Sequence, residues 1–249
     1  MIVIKTIIAI TRLVMVLIIL VPSFYIYKLA GLIFFRITPE TGFTFRRFAC
    51  AYINFIFGII DQIEGKPSEQ PALYVCNHRG LTDFFINLRY LNAYILSKAQ
   101  VENIPVLGHI ANHTGIFYVK RRNRSSILAT REAIVEKLHA GYNVILYPEG
   151  TTNTKPGTIA FLSGAFEEAA KHNYKVIPMA LEYKSKSDLW KSTSISRQFI
   201  NQLGKPFTFA KMAFGQPIES NDPKFLREES RKWIDNKLVE MQKNWSKAY

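Results

Sequence analysis

The chain has 249 residues, 48% of them hydrophobic, and 32 Lys and Arg against 19 Asp and Glu give a formal charge of +13. The length fits one full α/β core, alone or with a small accessory element, and the apolar content excludes a disordered chain. The two cysteines, Cys50 and Cys76, lie in apolar runs without paired spacing, which excludes a disulfide framework or a zinc knuckle, while the charge calls for a polyanionic partner: nucleic acid, an anionic membrane or a phosphorylated substrate.

From Ile2 to Phe35 the chain is almost continuously apolar, interrupted only by Lys5, Arg12 and Lys28. The longest charge-free piece, Leu13 to Tyr27, falls short of the roughly 20 residues that cross a bilayer, and Pro22 is expected to kink it. A full span is therefore not favoured. No small-x-small cleavage site follows the apolar core, so the segment reads as retained. It is either a hydrophobic hairpin buried on the protein's own core or a membrane anchor. Lys5, Arg12, Lys28, Arg36, Arg46 and Arg47 face the single acid Glu40 over the first fifty residues, a pattern that suits anionic headgroups and favours the anchor. A second apolar stretch, Phe48 to Ile60, reads as a helix leading into the domain, and "EGKPSEQP" as its turn-rich entry. The expected organisation is an anchoring segment over residues 1–60 and an α/β domain over 61–249.

The domain then alternates. "ALYVC", "AYILSK", "GIFYV", "NVILY" and "KVIPMALEY" read as strands, separated by helices over "FFINLRYL", "IPVLGHIANHT" (opened near Pro105), "SSILATREAIVEKLHAG" and "LSGAFEEAAKHN". This order predicts an α/β sandwich with a largely parallel central sheet. In the long middle helix Ile127, Leu128, Ile134, Val135 and Leu138 share one stripe, with Arg131 as a charged exception inside it. Beyond Tyr183 the pattern loosens into "KSKSDLWKSTSISRQF", a surface loop or weak helix. "FTFAKMAFGQPI" follows as a late strand. The last element is an amphipathic helix with Phe225, Trp233, Leu238 and Met241 as core contacts.

Candidate chemistry sits where strands end. Asn77, His78 and Asp83 follow "LYVC" directly, at the edge of the sheet where α/β proteins keep their sites. His and Asp five apart lie about 140° apart around a helix, so they meet only in a turn or across a helix start. Together they supply a base and an orienting carboxylate. No GxSxG elbow or reactive-looking cysteine completes a triad, so the nucleophile is expected to be a hydroxyl of the substrate, deprotonated by His78. "GIFYVKRRNR" ends a strand in a cluster of bases suited to phosphate, "LYPEGTT" ends another in a polar turn, and Pro178 inside "VIPMAL" demands a sheet edge or a bulge. The remaining histidines form no ligand constellation, so no metal is expected.

Taken in order, these stretches resemble the glycerolipid acyltransferase family typified by 1-acyl-sn-glycerol-3-phosphate acyltransferase. "NHRGLTD" fits its NHxxxxD motif, "GIFYVKR" its second, "YPEGTT" its third, usually FPEGTR, and "VIPMAL" its fourth; the likeness runs from Leu73 to Leu181. It implies that His78 is the general base and Asp83 its orienting partner. It also implies that Asn77, Gly115, Lys120, Arg121, Glu149, Gly150 and Thr151 contact substrate, and that Pro178 belongs to the acyl-donor side. The implied reaction moves a fatty acyl group from acyl-CoA or an acyl-carrier-protein (acyl-ACP) thioester to a lysophospholipid, first of all lysophosphatidate, with no bound cofactor. Thr152 stands where many lysophosphatidate enzymes have Arg, which leaves the acceptor headgroup open to another lysophospholipid or a lyso-aminolipid. The expected setting is the cytoplasmic membrane, with the α/β domain on the cytoplasmic side and anionic lipid as partner. A membrane-associated nucleic-acid binder is the remote rival, since no nucleic-acid module is present. A non-catalytic lipid-binding protein on the same fold is the nearer one.

Overall fold

The computed structural model describes residues 2–98, 107–119, 124–191, 194–243 and 245. Helix α1 (Ile2–Ile33) and α2 (Pro39–Ile56) lead into β1 (Ile59–Glu64) and β2 (Leu73–Cys76); then come α3 (Asp83–Tyr90), β3 (Ala93–Lys98), α4 (Leu107–His113), β4 (Ile116–Val119), α5 (Arg124–His139) and β5 (Asn143–Leu146). The chain continues through α6 (Gly164–His172), β6 (Val176–Tyr183), α7 (Ile195–Leu203), β7 (Thr208–Phe214) and α8 (Pro223–Lys243). Among the described residues the strands form one sheet in the order β1-β7-β6-β2-β5-β3-β4, parallel at every pairing except β6 with β7.

Alternation along the central strand divides the core in two. Tyr74 and Cys76 point into a layer built with α1, α2, α3 and α7, while Leu73 and Val75 point into one built with α5, α6 and α8. Both faces are covered, which is why β2 and β6 are buried along their whole length and read as unbroken apolar runs.

Several local expectations change. The stretch expected as a helix to Ile60 stops at Ile56, because Gly58 adopts φ +66 with Pro206 O only 2.3 Å from where a Cβ would sit. The chain turns there into β1, an edge strand with alternating burial that the apolar run had hidden. In α5 Ile127 and Leu128 are exposed and only Ile134 and Leu138 are buried, so the helix presents a narrower stripe than expected. Its charged exception is accounted for: Arg131 pairs with Glu167 at 2.8 Å and Glu168 at 2.7 Å on α6. In α8 the core face runs through Leu226, Ile234, Leu238 and Met241; Phe225 is exposed and Trp233 packs at the margin. The loosened region contains α7, capped by Ser194, and its Gln198 and Gln202 are buried.

Helix α1 runs unbroken through Pro22 and is long and apolar enough to cross a membrane. It also packs along the protein: Ala9, Val16, Leu20 and Phe24 are buried. Most of its other apolar side chains face outward, among them Ile18 at 63%, Ile26 at 66% and Leu32 at 83% exposure. Arg12, expected at a headgroup, instead donates to the carbonyls of Leu203, Lys205 and Pro206 behind α7. Arg46 is turned inward as well, donating to Thr114 O at 2.5 Å and Ala93 O at 2.7 Å, and burial pulls its pKa down to about 10.

That placement is testable. Arg46→Met should lower unfolding free energy by about 2–4 kcal/mol, because two buried carbonyls lose a charged donor, and should leave vesicle binding unchanged. Denaturant unfolding and vesicle sedimentation separate the two; a headgroup contact would give the opposite pattern.

Candidate active site

Three neighbouring parallel strands, β2, β5 and β6, end at one edge of the sheet. There they deliver His78, Glu149 and Tyr183. The turn from β2 into α3 is shaped by one buried carboxylate. Asp83, fully buried, accepts from His78 Nδ1 at 2.7 Å, from the N–H of Arg79 at 2.6 Å and from the N–H of Gly80 at 2.9 Å through Oδ2, while Oδ1 accepts from the Tyr183 hydroxyl at 2.6 Å and shares the Gly80 N–H at 3.0 Å. The chain can wrap this closely because residue 80 is glycine: a Cβ would meet Gln202 at 2.7 Å and the carbonyl oxygen of Asp188 at 2.9 Å.

The contact with Asp83 assigns the imidazole tautomer. A carboxylate accepts only, so Nδ1 carries the proton and Nε2 is left as the acceptor. The ring is stacked on Tyr147 at 4.2 Å between centroids and 14° between planes, and its side chain is 27% exposed, so it is held flat yet reachable. Tyr147 is fixed in turn by Asn87, which donates to its hydroxyl at 3.1 Å. Among the described residues no hydroxyl or thiol bonds to the His78 ring. Both thiols are buried: burial pushes Cys50 up to about 12, and burial with the nearby Asp83 charge raises Cys76. Neither is a ready thiolate.

The turn after β5 is tied to the same backbone. Glu149 accepts from the N–H of His78 with one oxygen and from that of Ile159 with the other, both at 3.0 Å, and Asn153 N–H donates to His78 O at 2.8 Å. Gly150 takes φ +68 to close the turn. Arg79, 1% exposed, points beneath it and donates to Asn153 O, Lys155 O and Pro156 O. Its other contact is Glu182 on β6, 3.1 Å away, which also accepts from Gln242 of α8 at 2.7 Å.

The expected substrate contacts fall into distinct places. Asn77 is buried and exchanges two hydrogen bonds of 2.8 Å with the backbone of Leu181, extending the β2–β6 pairing beyond the strand end. Thr151 is exposed and Thr152 half-buried on the turn beside His78. Gly115 lies at the start of β4, at the opposite edge of the sheet, where its φ of +81 and the absent Cβ make room for the Phe43 ring and the Arg46 guanidinium. Pro178 sits in β6 opposite Val75, inside the sheet rather than in the cleft. Met179 faces Phe214 and Val176 faces Ile218, so residues 215–217 stand against 177–178: a bulge, which falls where the proline has no N–H to give. Lys120 and Arg121 lie outside the described residues, as does the expected helix start at Pro105. Among the described residues no group of three or more His, Cys, Asp or Glu could hold a metal ion.

Arg79, Glu182 and Tyr183 were not singled out from the sequence. The one available signal was Glu182, a lone acid in an otherwise apolar strand, which requires a buried partner.

The family model described as Acyltransferase matches residues 59–182. A lyso-ornithine lipid O-acyltransferase of Pseudomonas aeruginosa is 30% identical over 123 residues, covering 49% of this chain and 47% of its own. A chloroplast 1-acyl-sn-glycerol-3-phosphate acyltransferase of Arabidopsis thaliana is 32% identical over 124 residues, 49% of this chain and 35% of its own. The chain thus spans about half the length of these curated relatives, or less. The crystal structure of the 1-acyl-sn-glycerophosphate acyltransferase from Thermotoga maritima superposes with a TM-score of 0.58 at 18% identity, covering 94% of this chain and 99% of that one, which shows the fold.

The Arg79–Glu182 pair generates a prediction. Arg79→Met should cost about 3–5 kcal/mol in denaturant unfolding, since it leaves a buried carboxylate unpaired, and adding Glu182→Gln should recover part of that loss.

Proposed function

The chain belongs to the acyltransferase family, and on that premise we propose that it moves a fatty acyl group from a coenzyme A or acyl-carrier-protein thioester to the free hydroxyl of a lysolipid, with lysophosphatidate as the acceptor. The observation that carries the reading is a base without a protein nucleophile: His78 is oriented by Asp83 through Nδ1, its ring is reachable, and the two cysteines are buried. Such a site suits a nucleophile brought by the substrate.

In the proposed reaction Nε2 of His78 takes the proton as the acceptor oxygen attacks the thioester carbonyl. Asp83 holds the imidazole and balances the imidazolium that forms. Collapse of the tetrahedral intermediate breaks the carbon–sulfur bond, and the imidazolium returns the proton to the departing thiolate. The ester and the free thiol leave, and His78 is neutral again. The intact His78–Asp83 contact is what separates this reading from a lipid-binding protein without turnover.

A lyso-ornithine lipid is the second acceptor reading. It is favoured by the similarity to the Pseudomonas aeruginosa protein and by Thr152, which supplies no charge to a phosphate on this turn. Arg121 is proposed to meet the acceptor phosphate in the first reading. In both, the lipid surface supplies the acceptor. The outward apolar side of α1, together with the exposed Phe48 at 74% and Phe55 at 79% on α2, suggests membrane association.

Three measurements test this. His78→Ala should lose roughly 10²- to 10⁴-fold in turnover with folding intact; retention of more than about a tenth would remove the base assignment. A panel of lysophosphatidate, other lysophospholipids and lyso-ornithine lipid, each with both thioester donors, decides the acceptor, and Thr152→Arg should shift preference toward lysophosphatidate. Replacing Ile18, Ile26 and Leu32 by Asp should release the protein from vesicles without changing its circular dichroism, whereas high salt should not release the parent protein.

A further inference from the structure

Tyr183 is the last residue of β6, 4% exposed, and its hydroxyl lies between two partners: Asp83 Oδ1 at 2.6 Å and Thr82 Oγ1 at 2.8 Å. We propose that Tyr183, with Thr82 behind it, is a positioning residue of the site, a hydroxyl relay that locks the Asp83 carboxylate so that its other oxygen can orient His78. The inference rests on the proposed role of His78 as base and extends it by two side chains.

The direction of the relay follows from what each atom can do. Asp83 ends the chain as an acceptor, so Tyr183 donates to it, and the tyrosine oxygen then accepts the proton of Thr82. The phenol keeps its proton: burial raises its pKa well above the ordinary value, and the Asp83 charge adds to the effect. Thr82 supports the assignment from the other side. It stands at the N-cap of α3, where a threonine ordinarily accepts from the helix's own N–H groups, yet its side chain makes no capping bond. Its hydroxyl is committed to Tyr183 instead.

The relay has a mechanical effect and an electrostatic one. The last torsion of an aspartate is soft, and three of the donors to Asp83, His78 Nδ1 and the N–H groups of Arg79 and Gly80, reach Oδ2, the Gly80 N–H being shared with Oδ1 at 3.0 Å. Tyr183 adds the shorter bond to Oδ1, 2.6 Å, from the sheet side and so tightens the plane in which His78 is held. It also draws negative charge toward Oδ1, away from the oxygen that faces the imidazole. Tyr183 itself is buried, and the loop that follows it is tied back to the His78 turn by Trp190 N–H, which donates to Arg79 O at 2.8 Å. Buried as it is, it acts through Asp83.

Tyr183→Phe removes one oxygen and keeps the ring in the core. Expected are a fall of roughly tenfold in kcat, with KM for acceptor and donor unchanged within about twofold, and a move of the acid limb of the kcat/KM profile to higher pH by about half a unit or more. The sign follows from the charge returned to Oδ2, which favours the protonated imidazole. Thr82→Val should move the same limb the same way by less. A loss of packing alone would lower the melting temperature and leave the limb in place. His78→Ala is measured beside them. If it is inactive while neither variant moves the limb, the relay is overturned and the base stands; if His78→Ala keeps its turnover, the base reading itself fails. Should Tyr183→Phe not fold, Thr82→Val, which keeps the tyrosine, decides: an unmoved limb overturns the proposal.

Discussion

A carboxylate taken out of water must collect donors, and Asp83 sets the terms for everything around it. It gathers the N–H groups of Arg79 and Gly80, the ring of His78 and the hydroxyl of Tyr183, so the turn after β2 has little choice of shape. The requirement reaches outward. Gly80 has to be small because Gln202 and the Asp188 carbonyl close over it, and α7 has to be present to supply Gln202. The polar, weakly patterned region after Tyr183 is thus the cover of the His78 turn, and the late strand β7 returns the chain to the sheet antiparallel to β6.

Arginine is used here in a way that net charge does not reveal. Arg12, Arg46 and Arg79 each turn a guanidinium onto backbone carbonyls at places where the chain changes direction: behind α7, at the starts of β3 and β4, and inside the turn after β5. A planar fork of five donors is suited to several carbonyls at once, which lysine is not. Part of the positive charge is therefore structural. The part left to an anionic partner is smaller than the formal total of +13 suggests.

Helix α1 combines two roles that first look exclusive. One stripe, from Ala9 to Phe24, belongs to the core, and the opposite side carries exposed isoleucines and leucines. A helix with both sides apolar, docked along the protein on one of them, suggests membrane association through the other while it remains part of the folded unit. Burial on the protein and an apolar face turned outward, alternatives in the sequence, occur on opposite sides of the same helix.

The sequence by itself determined the alternation of strands and helices, the largely parallel sheet, and the His78–Asp83 pair with the turn at Glu149 and Gly150, because these are written in short-range periodicity and in residues at strand ends. Tertiary structure alone decided the rest. Tyr183 meets Asp83 and Arg79 meets Glu182 across about a hundred residues of chain, and such contacts leave no period to read. At Gly115 the fold leaves space for Phe43; Arg46 looked like a headgroup contact and is a buried donor; β1 was hidden in an apolar run that continued the preceding helix. In each case the residue type was compatible with both roles, and the choice was made by which surface the fold brought against it.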